Sequence, residues 1–228
     1  MAVLKMQKGW KLLVPELENR GHTVLTVDLP LDEPAASATR HADVVLQTLD
    51  LTTYRNDDVV VVAHSASGMF LPLVASRRPV GHMVFLAALV PKLGTSILEQ
   101  FRTDPEMLNP EWVGKNPMED GVARQFLFHD CSPELLEWAL STRVLMNARE
   151  AMTEMCPLEA WPSVGSSYIL CSEDRTISPA WSRRIVRERL RVEPIELSGG
   201  HCPHISRPSE LANALTDPRV TGSNPCQG

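Results

Sequence analysis

Short apolar runs alternate with helical patterns along this chain, and the alternation limits the fold more than any other feature of the sequence. Five runs rich in β-branched residues predict β-strands. They are Thr23–Leu29, Asp58–Ala63, His82–Leu89, Ser167–Ser172 and Val192–Leu197. Two of them contain the continuously apolar stretches VVVVA and MVFLAAL, which are typical of strands covered on both faces.

Helices are predicted between these strands. Apolar residues follow helical spacing over residues 10–17 and 41–48, and Arg207–Leu215 predicts a closing helix. Ser178 and Pro179 form a good helix start, with a capping hydroxyl followed by proline at the first helical position. Because strands that alternate with helices pair in parallel through right-handed crossovers, the sequence predicts a single α/β domain over residues 1–228.

The stretch from Lys92 to Val164 breaks this alternation. It contains no strand-like run, only polar loops and helical segments such as Ser132–Met146. A helical insertion of this length in an α/β domain is usually a lid over the site. We therefore expect residues 92–164, below called the helical segment, to be a lid.

The run VVVVAHSASG, residues 59–68, predicts a nucleophile elbow. A buried strand leads directly into Ser65, with the small residues Ala63 and Ser67 two positions away on either side, and a helix follows. Small neighbours let the strand and the helix approach closely around a strained turn. Such a turn exposes the serine hydroxyl and directs the backbone N–H of Ala66 at a developing oxyanion.

An acid and a histidine follow in the order that a serine nucleophile needs. Asp174 comes at the carboxyl end of a predicted strand, where sites in open α/β sheets form. His201 follows the next strand after the turn Ser198–Gly200. We expect His201 to take the proton of Ser65 and Asp174 to orient the imidazole, so activity should fall as the pH drops through the histidine range.

Neighbouring residues leave alternatives open. Glu173 competes with Asp174 as the acid, and Ser67 is a second serine beside the elbow, although a turn further into the helix. We expect His64 to support the elbow by hydrogen bonding. His204 lies three residues after His201, but with no second cluster of ligand-type residues nearby in the sequence we expect a structural role and no metal.

One cysteine and five methionines can be explained by burial and packing as well as by a role in function. Cys202 is expected to be a buried, inert thiol. Five methionines fall in the helical segment and should mostly serve packing, though flexible side chains facing a pocket would suit an apolar acyl or alcohol group. They are Met107, Met118, Met146, Met152 and Met155.

Composition excludes several functional classes. With 22 basic and 28 acidic residues the net charge is −6, so neither nucleic acid nor an anionic membrane is expected as a partner. The most apolar stretch, residues 59–75, is too short and too polar to cross a bilayer, and residues 1–13 do not resemble a secretory signal. The five cysteines lack paired spacing, so we expect reduced thiols and a cytoplasmic protein.

Several segments resemble one family. They are DLPLDEPAASATRHADVV, VVVVAHSASG, MVFLAALVP, YILCSEDRTISPAWSRR and PIELSGGHCPHISRPSELANAL. Together they are similar to the bacterial α/β-hydrolases related to plant methylesterases and hydroxynitrile lyases, from about Trp10 to Leu215. The resemblance implies an α/β-hydrolase fold and a carboxylesterase that cleaves a small-molecule ester without cofactor or metal. It implies Ser65 as nucleophile, Asp174 as acid and His201 as base. Oligomeric state stays open, with a homodimer as one option.

The N-terminus departs from the family pattern. Family members begin with a strand and a His-Gly loop that supplies a second oxyanion N–H, whereas residues 1–9 contain no His-Gly and leave room only for a short strand, expected at Ala2–Lys5. The departure keeps a second hypothesis open, that of an impaired or non-catalytic binder of small molecules. A third, a hydroxynitrile lyase, is disfavoured because plant lyases of this type carry lysine where this chain has Cys202.

Overall fold

The β-branched runs of the sequence form the strands of a six-stranded parallel sheet. The structure is a computed structural model that describes residues 2–4, 7–53 and 59–221. Its strands are β1 Ala2–Leu4, β2 Leu25–Val27, β3 Val60–His64, β4 His82–Leu86, β5 Gly165–Cys171 and β6 Ile195–Leu197. They are arranged in the order β2-β1-β3-β4-β5-β6.

The short strand β1 lies inside the sheet. Ala2 is in register with Leu25 of β2 and with Val61 of β3, and all of these pairings are parallel. The expected N-terminal stub is therefore present over Ala2–Leu4, and Lys5 lies outside the described residues. β1 supplies the ladder partners that β2 and β3 would otherwise lack.

Helices cover both faces of the sheet. They are α1 Leu13–Glu18, α2 Ala38–Asp50, α3 Leu71–Arg77, α4 Ile97–Thr103, α5 Asp120–Phe126, α6 Pro133–Leu140, α7 Arg149–Thr153, α8 Pro179–Ile185, α9 Pro203–Ser206, α10 Pro208–Leu215 and α11 Pro218–Thr221. Side chains of successive residues in β3 lie on opposite faces of the sheet. Val61 and Ala63 therefore pack in one hydrophobic cluster and Val62 packs in the other. This explains the unbroken apolar run in β3.

Strand interiors agree with the prediction, whereas strand ends differ. The predicted strand His82–Leu89 ends at Leu86. The N–H of Ala87 still donates to the carbonyl oxygen of Ile169 in β5, but Ala87 has φ 41° and the chain turns away from the ladder after it. β2 and β6 are shorter than predicted, and β5 starts two residues earlier, at Gly165. Asp58, the predicted start of β3, lies outside the described residues.

The predicted helix starts are also mostly confirmed. α8 begins at Pro179, and the Ser178 hydroxyl accepts a hydrogen bond from the backbone N–H of Trp181. The closing helix α10 begins at Pro208, one residue later than predicted. The predicted helical run Ser132–Met146 was too long, because α6 ends at Leu140, where the last turn closes on Ser141.

The helical segment contains no strand in the described structure and carries α4 to α7. One isolated bridge joins its Leu108 to Ile177, beside the loop that follows β5. Searched over the described residues, the helices include none long and apolar enough to cross a membrane.

Candidate functional site at the carboxyl edge of the sheet

A strained turn presents Ser65. β3 ends at His64, Ser65 has φ 58°, and a 3-10 helix continues over Ser65–Met69. A positive φ is rare for a side-chain-bearing residue and is maintained only where the surroundings enforce it. One contact that does so is made by Gly68, where an added Cβ would lie 2.2 Å from the carbonyl oxygen of Leu89.

Ser65, His201 and Asp174 lie in hydrogen-bonding contact. Ser65 Oγ is 2.9 Å from His201 Nε2, and His201 Nδ1 is 2.8 Å from Asp174 Oδ2. Because a carboxylate only accepts, Nδ1–H donates to Asp174, which leaves Nε2 to accept from the serine hydroxyl. The His201 and Asp174 side chains are almost entirely buried, at 4% and 3% exposure, whereas Ser65 is half-buried.

The Asp174 carboxylate is held by its own loop. Its Oδ1 accepts hydrogen bonds from Thr176 N at 2.7 Å, Thr176 Oγ1 at 2.9 Å and Ile177 N at 3.1 Å. Glu173, the alternative acid, turns away from His201, and its Oε1 accepts from the backbone N–H of Gly199 at 3.2 Å. The carboxylate at Nδ1 is therefore that of Asp174.

The backbone N–H of Ala66 lies in the first turn after Ser65. Amides in the first turn of a helix have no partner in the preceding turns, so they are available to a ligand. Ala66 also lines the cavity beside Ser65. Gly9, a conceivable second donor, belongs to the 3-10 helix Gln7–Trp10 and is not among the described residues that line the cavity, while Lys5 and Met6 lie outside the described residues.

A cavity of about 490 Å³ opens above Ser65. Its floor is formed by the elbow and His201, and most of its wall comes from the helical segment. The wall side chains are predominantly apolar and include Phe101, Leu108, Trp112, Leu127, Phe128 and Val144. A site of this size and character accommodates a small organic molecule with an apolar body.

Two of the five methionines of the helical segment reach this cavity. Met146 and Met152 line it, whereas Met107 is buried in the core and both Met118 and Met155 are exposed. Cys202 also lines the cavity, with a nearly buried side chain.

Two further thiols, one buried and one partly buried, lie near the site. Burial raises the pKa of Cys171 well above the usual thiol range, and burial likewise raises the pKa of Cys131 to about 12. Both are neutral thiols at neutral pH, so neither has the thiolate that a cysteine nucleophile needs.

Three ligand-type side chains meet behind His201. In the described part of the chain, His64, Cys202 and His204 offer ligand atoms within 4.8 Å of one another, so the fold adds His64 to Cys202 and His204, which are already close in the sequence. His64 Nε2 donates to the carbonyl oxygen of His201 at 2.7 Å, which occupies one of its two nitrogens. The His64 ring packs on both His201 and His204, and the His204 ring packs on Trp10.

This packing fits a structural support better than a metal centre. A metal would have to use the remaining His64 nitrogen within a closely packed set of rings. Sulfur and imidazole ligands suit zinc by type, but an open fourth position would be needed for catalysis. The expectation that no metal is used stays a prediction. The expected hydrogen bond of His64 is present and joins the elbow to the His201 loop.

Sequence reasoning missed the residues that hold this arrangement in place. Thr176 orients Asp174 through an Asx-turn, for which the spacing Asp-x-Thr was an available indication. Gly68 follows the elbow serine by three residues, and its close approach to Leu89 depends on a loop 21 residues away that no local pattern reveals.

Known proteins resemble the chain over nearly its whole length. A model of the alpha/beta hydrolase family matches residues 7–214. Salicylic acid-binding protein 2 of Nicotiana tabacum is 28% identical over 92% of this chain and 91% of its own, and methylesterase 9 of Arabidopsis thaliana is 25% identical over 90% and 91%. The crystal structure of polyneuridine aldehyde esterase superposes with a TM-score of 0.76, at 21% identity, over 95% of this chain and 98% of that one. The chain belongs to the alpha/beta hydrolase family.

Proposed function

We propose that the protein is a serine hydrolase that cleaves a small ester through an acyl-enzyme. The observation that carries the proposal is the hydrogen-bonded series from Ser65 Oγ through His201 to the buried carboxylate of Asp174. The positive φ of Ser65 adds to it, because strain at a side-chain-bearing residue is typical of functional sites. Relatives named as methylesterases support the ester as substrate class.

Acylation follows from the proton positions. Ser65 Oγ attacks the ester carbonyl carbon as its proton passes to His201 Nε2, and Asp174 stabilises the imidazolium that forms. Ala66 N–H donates to the carbonyl oxygen as it becomes an oxyanion. When the tetrahedral intermediate collapses, the C–O bond to the alcohol breaks and the leaving oxygen takes the proton from His201.

Deacylation repeats these steps with water. His201 removes a proton from a water molecule, the resulting nucleophile attacks the acyl carbon, and Ser65 Oγ leaves with the proton returned from Nε2. The products are a carboxylic acid and an alcohol. The helical segment acts in this proposal as the lid that supplies the apolar wall of the cavity and limits the entry of water.

The proposal also covers the binding partner and the cellular location of the protein. Its partner is a small-molecule ester. We place the protein in the cytoplasm, since Cys131, Cys156, Cys171 and Cys202 are free thiols, the form that thiols keep in a reducing compartment.

A fluorophosphonate probe tests the proposal directly, because it labels a serine that is activated by a neighbouring base. We expect the wild-type protein and the Ser67→Ala variant to be labelled and to hydrolyse a chromogenic short-chain ester, and the Ser65→Ala variant to do neither. Far-UV circular dichroism verifies that each variant is folded. Labelling that persists in Ser65→Ala contradicts the proposed nucleophile. A wild-type protein that neither labels nor hydrolyses favours the non-catalytic binder.

A further inference from the structure

Asp130 reaches from the helical segment into the loop that carries His201. It lies between α5 and α6, and its side chain is only 7% exposed. Its Oδ2 accepts hydrogen bonds from the backbone N–H of Gly200 at 2.9 Å and from Ser206 Oγ at 2.8 Å. A buried carboxylate is costly unless it is paired, and Arg207 Nε lies 3.6 Å from the same oxygen.

The residue before Asp130 contacts the other loop of the site. His129 Nε2 donates to the carbonyl oxygen of Glu173 at 3.0 Å, and Glu173 is the residue that precedes Asp174. The two loops are also joined to each other, since Glu173 N–H donates to the carbonyl oxygen of Gly199 at 3.0 Å. Two consecutive residues of the helical segment therefore hold the backbones that carry Asp174 and His201.

The glycines of the His201 loop make room for these contacts. A Cβ on Gly200 would lie 2.7 Å from His129 Nε2 and 2.8 Å from Asp130 Oδ1. Gly199 has φ 105°, and a Cβ there would lie 2.7 Å from Asp130 Oδ2. A larger residue at either position would push the carboxylate away from the loop.

Gly200 is joined to His201 by a peptide bond, so a bond that fixes Gly200 N–H also restrains the backbone of His201. Proton transfer from Ser65 needs the 2.9 Å approach of His201 Nε2, and a displacement of about 1 Å in such a geometry costs about 10²-fold in rate. A restraint on Gly200 therefore acts on that distance through the backbone of His201.

We propose that Asp130 is a positioning residue for His201: it holds the Gly199–Gly200 turn so that His201 Nε2 stays within reach of Ser65 Oγ. The inference rests on the proposed function, in which His201 is the base. It makes order in the helical segment a condition of the chemistry, apart from the role of that segment in lining the cavity.

Two substitutions separate positioning from general stability. Asp130→Ala removes both hydrogen bonds, whereas Asp130→Asn keeps an oxygen at the Oδ2 position that accepts from Gly200 and Ser206. Asp104→Ala is the matched control, since Asp104 belongs to the same segment and accepts from Trp181 Nε1 and Arg184 away from His201. All variants are assayed well below their melting temperatures.

For Asp130→Ala we expect kcat for a chromogenic ester to fall about 10- to 100-fold with KM almost unchanged, and the rate of fluorophosphonate labelling to fall by the same factor. Asp130→Asn should recover most of the loss, and Asp104→Ala should lower the melting temperature without lowering kcat. If Asp130→Ala does not fold, Asp130→Ser, which keeps a polar group but lacks the reach, carries the same expectation.

Two outcomes would overturn the inference. The first is a folded Asp130→Ala or Asp130→Ser variant that keeps the wild-type kcat and labelling rate. The second is a loss of kcat in Asp104→Ala equal to that in Asp130→Ala. Either result leaves the proposed function standing as long as Ser65→Ala is inactive, whereas an active Ser65→Ala variant refutes the proposed function itself.

Discussion

Gly68 lies directly against the backbone of Leu89, with space for a hydrogen but not for a carbon atom between them. The contact joins the elbow after β3 to the chain that leaves β4, and the backbone N–H of Leu89 donates to the carbonyl oxygen of Ser65 at 3.0 Å. The loop after β4 therefore stabilises the strained backbone of Ser65 through this hydrogen bond and the contact with Gly68.

Gly68→Ala should destabilise the protein and disrupt the elbow. The new Cβ would meet the Leu89 carbonyl oxygen at 2.2 Å, and overpacking of this kind costs about 1–3 kcal/mol or more because backbone must move. Urea unfolding followed by circular dichroism measures the loss. Gly121→Ala is the matched control: it lies in α5 with no atom within 4 Å of the new Cβ, so its stability should rise or stay unchanged. Equal stability of the two variants would contradict the argument.

Tyr168→Phe should lower stability by about 1–3 kcal/mol, the usual cost of leaving buried polar groups unsatisfied. The Tyr168 hydroxyl accepts from Ala88 N–H at 3.0 Å and lies 2.8 Å from the Ala88 carbonyl oxygen. Removal of the hydroxyl leaves both backbone groups without that partner in a fully buried environment. Thermal unfolding checks the loss, and a melting temperature equal to that of the wild type would show that water or a backbone shift replaces the phenol.

Asp174→Asn should abolish most of the activity, whereas Glu173→Gln should leave most of it. An amide at position 174 no longer selects the Nδ1–H tautomer of His201, and the corresponding change in a serine protease lowers kcat about 10⁴-fold. Glu173→Gln keeps an oxygen that accepts from Gly199, so most activity should remain. Steady-state kinetics on one chromogenic ester compares the two. The reverse ranking would assign the acid to Glu173.

Stability should fall as the solution is acidified below neutral pH. Burial lowers the pKa of both His82 and His41 below the ordinary histidine value of about 6.5. Below that value the unfolded chain binds protons that the folded protein does not, so stability is complete above about pH 6.5 and is lost as the pH falls, by up to about 1.4 kcal/mol per pH unit for each proton.

Urea unfolding at several pH values measures this slope. His82 is in contact with the Ser167 hydroxyl, at 2.8 Å from Nε2, and a His82→Gln variant retains a polar group there without the titration. Its stability should depend less on pH than that of the wild type. An unchanged slope would mean that other groups account for the loss.

The sequence predicts those parts of the protein whose interactions join residues close together along the chain. The apolar runs identify the central residues of β3, β4 and β5, because a strand that is buried on both faces needs consecutive apolar residues. The positions of Ser65, Asp174 and His201 follow from the rule that parallel strands bring their carboxyl ends to one edge. The end of β4 does not follow, because Ala87 leaves the ladder at a positive φ that its residue type does not demand.

Asp130 was equally hidden in the sequence. No residue beside it in the sequence indicates its role, and its hydrogen-bond partner Gly200 is 70 residues away along the chain. The Gly-Gly pair before His201 predicted a turn, but not what fills the space beside it. Only the folded arrangement shows that the carboxylate occupies that space.

The contact of Asp130 with the Gly199–Gly200 turn also bears on protein engineering. Exchanging the lids of related hydrolases is an obvious way to alter specificity, and it treats the helical segment as a separable module. In this protein the segment is not separable, because His129 and Asp130 pack against Gly199 and Gly200, which lie outside it. A chimera that imports a foreign segment should keep Asp130, because without it the backbone N–H of Gly200 loses the carboxylate that accepts its hydrogen bond.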